Sequence, residues 1–176
     1  MNILLTILVV IICVIILILI LGLFMRKTYV VQRDIIINVP LQKVFDYIRH
    51  LKNHDNFNVY IGKDPDMKSE FRGTDGTVGF VYAWNGNSKA GEGEKEITAI
   101  DEGKRVDIEL RFVRPFKLTG YSSYSTESIS ENQTKVSASN SSKLKYPVNI
   151  MIPMVEKNLP KDLDKTLSIL KGILEK

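Results

Sequence analysis

The sequence predicts an α+β architecture: one transmembrane helix, then a curved antiparallel sheet of about six or seven strands wrapped around a long C-terminal helix. Three observations predict it. Residues 3–24 form one apolar run. Residues 67–144 are a series of short alternating segments separated by glycine-containing turns. After Tyr146-Pro147 the apolar residues recur every three or four positions, to Leu174.

The apolar run reads ILLTILVVIICVIILILILGLF, and as a helix it spans about 33 Å, against a hydrocarbon core of roughly 30 Å. No charged residue occurs in 1–25, so all 24 basic and 20 acidic residues, and the net charge of +4, belong to the rest of the chain. A soluble core helix of this length would show a polar stripe. A cleaved secretory signal would carry a basic leader and a small-x-small site, where this chain has Met1-Asn2 and Gly22-Leu23-Phe24. Residues 1–27 are therefore read as an uncleaved single-pass anchor. Arg26, Lys27 and Arg33 follow the span and no basic residue precedes it, which by the positive-inside rule puts the soluble domain in the cytoplasm. The one cysteine, Cys13, lies in the span, so the domain has no internal disulfide, as suits a reducing compartment.

Residues 28–176 read as one domain. The β-branched stretch 29–39 is a strand ended by Pro40. Residues 41–51 form a short helix with Val44, Phe45, Ile48 and Leu51 on one face, and 52–56 break the period. Residues 67–71 are a short strand, 73–76 a turn, and 77–84 a strand with Val78, Phe80, Tyr82 and Trp84 on one side. Asn85-Gly86-Asn87-Ser88 marks a hairpin into 89–100, where Gly91 and Gly93 suggest a bend or bulge. Residues 105–112 set Val106, Ile108, Leu110 and Phe112 against Asp107, Glu109 and Arg111. Residues 117–129 and 134–144 complete the meander. The final helix carries Ile152, Val155, Leu159, Leu163, Leu167, Leu170 and Leu174 on one stripe, and Pro160 inside it should kink or divide it. That stripe needs a large apolar surface, and the sheet supplies one; a curved sheet around one helix often encloses a cavity.

Three segments carry a family resemblance. They are Ile35-Ile36-Ile37-Asn38-Val39-Pro40 with Val44-Phe45 and Ile48; Gly76-Thr77-Val78-Gly79 through Trp84-Asn85-Gly86-Asn87 to Ala90-Gly91-Glu92-Gly93-Glu94; and Tyr146-Pro147 leading to Leu163-Asp164-Lys165-Thr166-Leu167 and Leu170-Lys171. Over about residues 30–175 the chain resembles the SRPBCC superfamily, the START-like or polyketide cyclase/dehydrase-like helix-grip proteins. The resemblance implies a sheet gripping the C-terminal helix and a cavity for a hydrophobic small molecule or lipid. It implies no shared catalytic motif. The chain departs from many relatives at His54-Asp55-Asn56-Phe57 and at Ala138, where tryptophan is common.

The candidate pocket residues are Phe80, Tyr82, Trp84, Phe112, Tyr121, Tyr124 and Asn140, since ligand pockets are mostly apolar with a few convergent polar groups. Ordinary core packing is the competing role for each aromatic. Asp46, His50 and His54 have the spacing of metal ligands on one helix face, but Lys52-Asn53 should end the helix first, and no metal or cofactor is expected. Glu92, Glu94 and Glu96 alternate on one strand face, which is read as solvated, with Glu92 kept as a candidate polar group of the cavity. No serine sits in a G-x-S-x-G elbow and no phosphate-binding loop is present, so no catalytic residue is assigned. The acceptor triplets at Asn132 and Asn140 carry no meaning on the cytoplasmic side. No helix-turn-helix, zinc spacing or basic run supports a nucleic-acid partner. The expected partners are the lipid bilayer and a hydrophobic small molecule or lipid, bound by a membrane-anchored carrier. The alternatives are a cyclase/dehydrase-type enzyme, with Glu92, His50 and Tyr124 as its candidate groups, and a protein-interaction module with a collapsed cavity.

Overall fold

A computed structural model describes residues 3–59, 64, 66–88 and 90–176. The N-terminal helix α1 (Ile3–Phe24) is long and apolar enough to cross a membrane, with a mean hydropathy of 3.9. Its side chains are exposed along almost the whole length, so it is not a core helix.

Among the described residues the domain holds a seven-stranded antiparallel sheet in the order β1-β7-β6-β5-β4-β3-β2. The strands are β1 (Thr28–Ile37), β2 (Lys68–Arg72), β3 (Val81–Asn85), β4 (Glu92–Asp101), β5 (Arg105–Arg114), β6 (Leu118–Ser130) and β7 (Gln133–Lys143). The first strand returns to pair with the last in continuous register, from Thr28 opposite Lys143 to Ile37 opposite Thr134. Helix α2 (Leu41–Arg49) buries Val44, Phe45 and Ile48. Helix α3 (Ile152–Leu174) buries Leu163, Leu167, Leu170 and Leu174, packing chiefly on β1. The core lies between the inner sheet face and these helices.

Some expectations change. The strand expected over 77–84 begins only at Val81, because Gly76 and Gly79, with φ of +79° and +87°, fold the preceding stretch into turns and leave Val78 exposed. Lys89 lies outside the described residues, and β4 starts at Glu92; its register slips at Glu92/Gly93, where a bend was expected. Pro160 does not divide α3, which stays helical on both sides of it. Burial of the stripe from Leu163 onward outweighs the hydrogen bond that the proline removes. Helix α2 stops at Arg49 rather than residue 51, because the Asp75 carboxylate accepts from the Leu51 and Lys52 amides at 2.8 and 3.2 Å. A 3₁₀ segment, Leu51–Asn56, follows and turns His54 into the core. His50 instead bonds back to the Asp46 carbonyl at 2.7 Å, so the Asp46–His50–His54 spacing builds no shared face.

Helix α1 is docked on the domain. The 3₁₀ segment Val148–Met151 packs against α1, and its fully buried Asn149 donates to the carbonyls of Gly22, at 2.7 Å, and Met25, at 3.3 Å. These are carbonyls that the end of a helix leaves without an internal partner. A Cβ at Gly22 would lie 2.6 Å from Ile150 Cγ2, so any other residue would have to push Ile150 aside. Arg26 pairs with Glu156, and the Leu144 amide donates to the Lys27 carbonyl at 2.7 Å. Asn149→Ala or Gly22→Leu should therefore expose the junction. In nanodisc-embedded full-length protein, trypsin should cut after Arg26 or Lys27 about tenfold faster, the worth of one or two lost hydrogen bonds. Equal cleavage rates in wild type and both variants would show that the contact does not hold the anchor.

Candidate ligand-binding cavity

The curvature of the sheet leaves space between its inner face and the first half of α3. Val155 and Leu159 belong to the apolar stripe of α3 but are only partly buried, because they wall this space instead of packing on the sheet. The cavity has a volume of about 500 Å³ and is lined by Tyr29, Ile108, Tyr124 and Asn140 from the sheet and by Met151 to Thr166 of the helical side. That volume lies within the range of small-molecule sites, roughly 300–1,000 Å³. A second cavity of about 270 Å³ lies under Tyr82, Trp84 and Met67. The two share Asn58, Lys95, Leu110, Phe112 and Pro115 as walls.

The sequence-selected residues fall in several places. Tyr82 and Trp84 line the smaller cavity, Tyr124 and Asn140 the larger, and Phe112 both. Trp84 lies against Gly93, where a Cβ would stand 2.8 Å from the indole. Tyr121 is 52% exposed and borders both the larger cavity and a surface groove beside it. Phe80 lines neither cavity: it is buried and stacks on Phe71, with ring centroids 6.2 Å apart. Glu92 is on the outer face, where Arg114 binds it at 2.8 Å, while Arg111 binds both Glu94 and Glu96. Hydrogen bonds from Arg111 hold the Glu94 carboxyl below its usual range.

The same alternation that turns these glutamates outward turns Gly93, Lys95 and Ile97 inward, and Lys95 is the residue that the sequence reading passed over. It is 5% exposed. Its ammonium donates to the Leu51 carbonyl at 3.4 Å, lies 4.1 Å from the centre of the Tyr82 ring, and stands 3.9 Å from Asp55 Oδ1. Burial pulls the Lys95 amine down to about 8, with the charges of Asp55 and Asp75 opposing. Burial raises the Asp55 carboxyl, whose other oxygen accepts from the Tyr82 hydroxyl at 2.8 Å. Tyr82 is pushed up to about 12, by burial first and by Asp55 in addition. Burial also raises Tyr124 and Tyr29. The buried Oδ1 of Asn140 has no hydrogen-bond partner among the described residues. The two cavities thus have largely apolar walls that carry the Lys95 amine, the Asn140 amide oxygen and several phenols.

No family model and no curated protein matches the sequence. Among solved structures, norcoclaurine synthase from Thalictrum flavum superposes with a TM-score of 0.63 at 12% identity, over 85% of this chain and 88% of that one. Ara h 8.0201 superposes at 0.61 and 16%, over 84% and 97%. The di-domain ARO/CYC protein BexL of the BE-7585A biosynthetic pathway superposes at 0.61 and 14%, over 85% of this chain and 51% of that one. The fold is the helix-grip fold that these structures share. A helix-grip domain with identities this low shares architecture with these proteins, and its chemistry rests on its own wall residues. Norcoclaurine synthase has been solved in complex with dopamine and hydroxybenzaldehyde.

Proposed function

We propose that this is a membrane-anchored binding or carrier protein for a hydrophobic small molecule or lipid, with residues 1–27 as a single-pass anchor and residues 28–176 as a cytoplasmic helix-grip domain. The observation that carries the reading is the position of the larger cavity beside the anchor junction. Met151 on its wall follows directly on Asn149 and Ile150, which hold α1, and Met154 lies one helical turn further on. Exposed Phe116 and Met154 border it, and the adjoining groove carries Tyr146 with Lys117, Lys143 and Lys145. Aromatic and apolar rims suit the bilayer interface, and each nearby lysine adds about 1 kcal/mol of attraction to anionic headgroups. The anchor raises the effective concentration of any bilayer-resident ligand at that mouth. The hollow interior favours this reading over an interaction module with a collapsed cavity. A cyclase-type enzyme is the second reading, favoured by Lys95 and Tyr82 on the wall of the smaller cavity, with Asp55 bonded to Tyr82.

Native mass spectrometry of the detergent-extracted full chain, followed by lipid extraction, is the test. A co-purifying apolar molecule is expected, and Val155→Trp, which fills the larger cavity, should reduce its occupancy at least fivefold, on the order of the loss from overfilling a packed site. Consistently empty protein that takes up no fatty acyl probe would reject the carrier reading.

A further inference from the structure

Among the described residues the buried cation at the meeting of the two cavities has no counterion in hydrogen-bond contact. Lys95 Nζ carries three donors when charged. The Leu51 carbonyl takes one at 3.4 Å, and the Asp55 oxygen facing it stands 3.9 Å away, beyond hydrogen-bond reach. Asp55 is also a poor counterion, since it is engaged with Tyr82 and its carboxyl is raised by burial. An ammonium held this way is costly unless a further acceptor completes it. Its neighbours on the wall are mostly apolar or aromatic, Tyr82, Leu110 and Phe112, with Asn58 the polar one.

We propose that Lys95 is the headgroup anchor of the cavity and that the ligand is a single-chain amphiphile with a monoanionic carboxylate, a fatty-acid-like molecule. This rests on the binding function proposed above and names the class of ligand. The carboxylate accepts from the Lys95 ammonium, and the chain lies along Ile108, Leu110, Val155 and Leu159 in the larger cavity. A monoanion fits better than a phosphate. Among the described residues the wall common to both cavities offers one cation, Lys95, which matches a single negative charge. Arg111 is engaged with Glu94 and Glu96 on the other side of the sheet, and Arg114, which borders the smaller cavity, is already held by Glu92.

The experiment uses full-length protein in nanodiscs and diazirine-bearing photoprobes with one oleoyl chain: the acid, the alcohol and lysophosphatidate, at equal mole fraction in the bilayer. Crosslinking into the domain is quantified by mass spectrometry. The acid should label wild type about tenfold more than the alcohol, the worth of one charge-assisted hydrogen bond. Lys95→Met should bring the acid down to the alcohol's yield while the alcohol's own yield holds, which also reports that the variant is folded. Lys95→Arg should retain part of the preference. Equal labelling of wild type by acid and alcohol would overturn the Lys95 anchor and leave hydrophobic binding standing. Lys95-dependent labelling by lysophosphatidate that exceeds the acid would overturn the carboxylate class. Absence of labelling by every probe would overturn both this inference and the binding function on which it rests.

Discussion

Lowering the pH from 7 to 4.5 will cost the domain about 3 kcal/mol of stability at His54 alone. The ring is 3% exposed, donates from Nε2 to the Ile48 carbonyl at 2.7 Å, and packs against Phe57 and Tyr124 with centroids 5.0 and 5.3 Å away. Burial, with the Lys95 charge second, brings its pKa from 6.5 to about 3, and the bond to Ile48 opposes only in part. The sign follows from which state takes the proton. Above pH 6.5 His54 is neutral in both states and its contribution is complete. Between 6.5 and about 3 the unfolded chain binds a proton that the folded chain refuses, so stability falls by about 1.4 kcal/mol per pH unit across that window. Urea unfolding followed by Trp84 fluorescence, at several pH values, measures this in wild type and in His54→Gln. The variant should lose that slope, and parallel pH profiles for the two proteins would refute the assignment.

Replacing Lys95 by methionine will stabilise the protein at pH 7 by about 2–3 kcal/mol, an upper range because the site adjoins a cavity. Here the folded-state pKa lies below the unfolded value. Above pH 10.5 the amine is neutral in both states and costs nothing. As the pH falls from 10.5 to about 8, the unfolded chain protonates first and stability declines; below about 8 the penalty is complete and constant. The stability gap between Lys95→Met and wild type should therefore be widest at neutral pH and close as the pH rises to 10.5. A variant less stable than wild type at pH 7 would show that Asp55 and Tyr82 compensate the charge in full, contrary to their 3.9 Å and 4.1 Å separations. A residue that lowers stability in the empty protein and lies on a cavity wall is the expected mark of a binding group.

Much of this molecule was legible in local pattern. The faces of α2 and α3 and the clean alternation of 105–112 follow from periods of 3.6 and 2, which are properties of a few consecutive residues. The outward direction of Glu94 and Glu96 was legible too, and it contained the inward direction of Lys95, which the glutamates drew attention away from. Val78 looked like a strand residue because its apolar neighbours alternate, yet its backbone conformation is decided by the glycines at 76 and 79. Phe80 and Trp84 fall on one side of the sequence alternation, but Phe80 precedes β3 and only Trp84 reaches a cavity; sequence periodicity does not say where a strand starts or which part of a face borders a cavity.

By itself the sequence determined a helix long and apolar enough to span a bilayer, the α+β order of elements, and the sheet wrapped on the C-terminal helix, since each depends on patterns within one segment. Tertiary structure alone decided that Asn149 and Ile150 clasp Gly22, that Asp55 and Leu51 meet Lys95 from a 3₁₀ turn far earlier in the chain, and that Val155 and Leu159 of α3 wall a cavity instead of packing on the sheet. Those contacts join segments far apart in the chain. Their energies depend on close approach and on exclusion of water, and neither is written in the spacing of residues along one strand or helix.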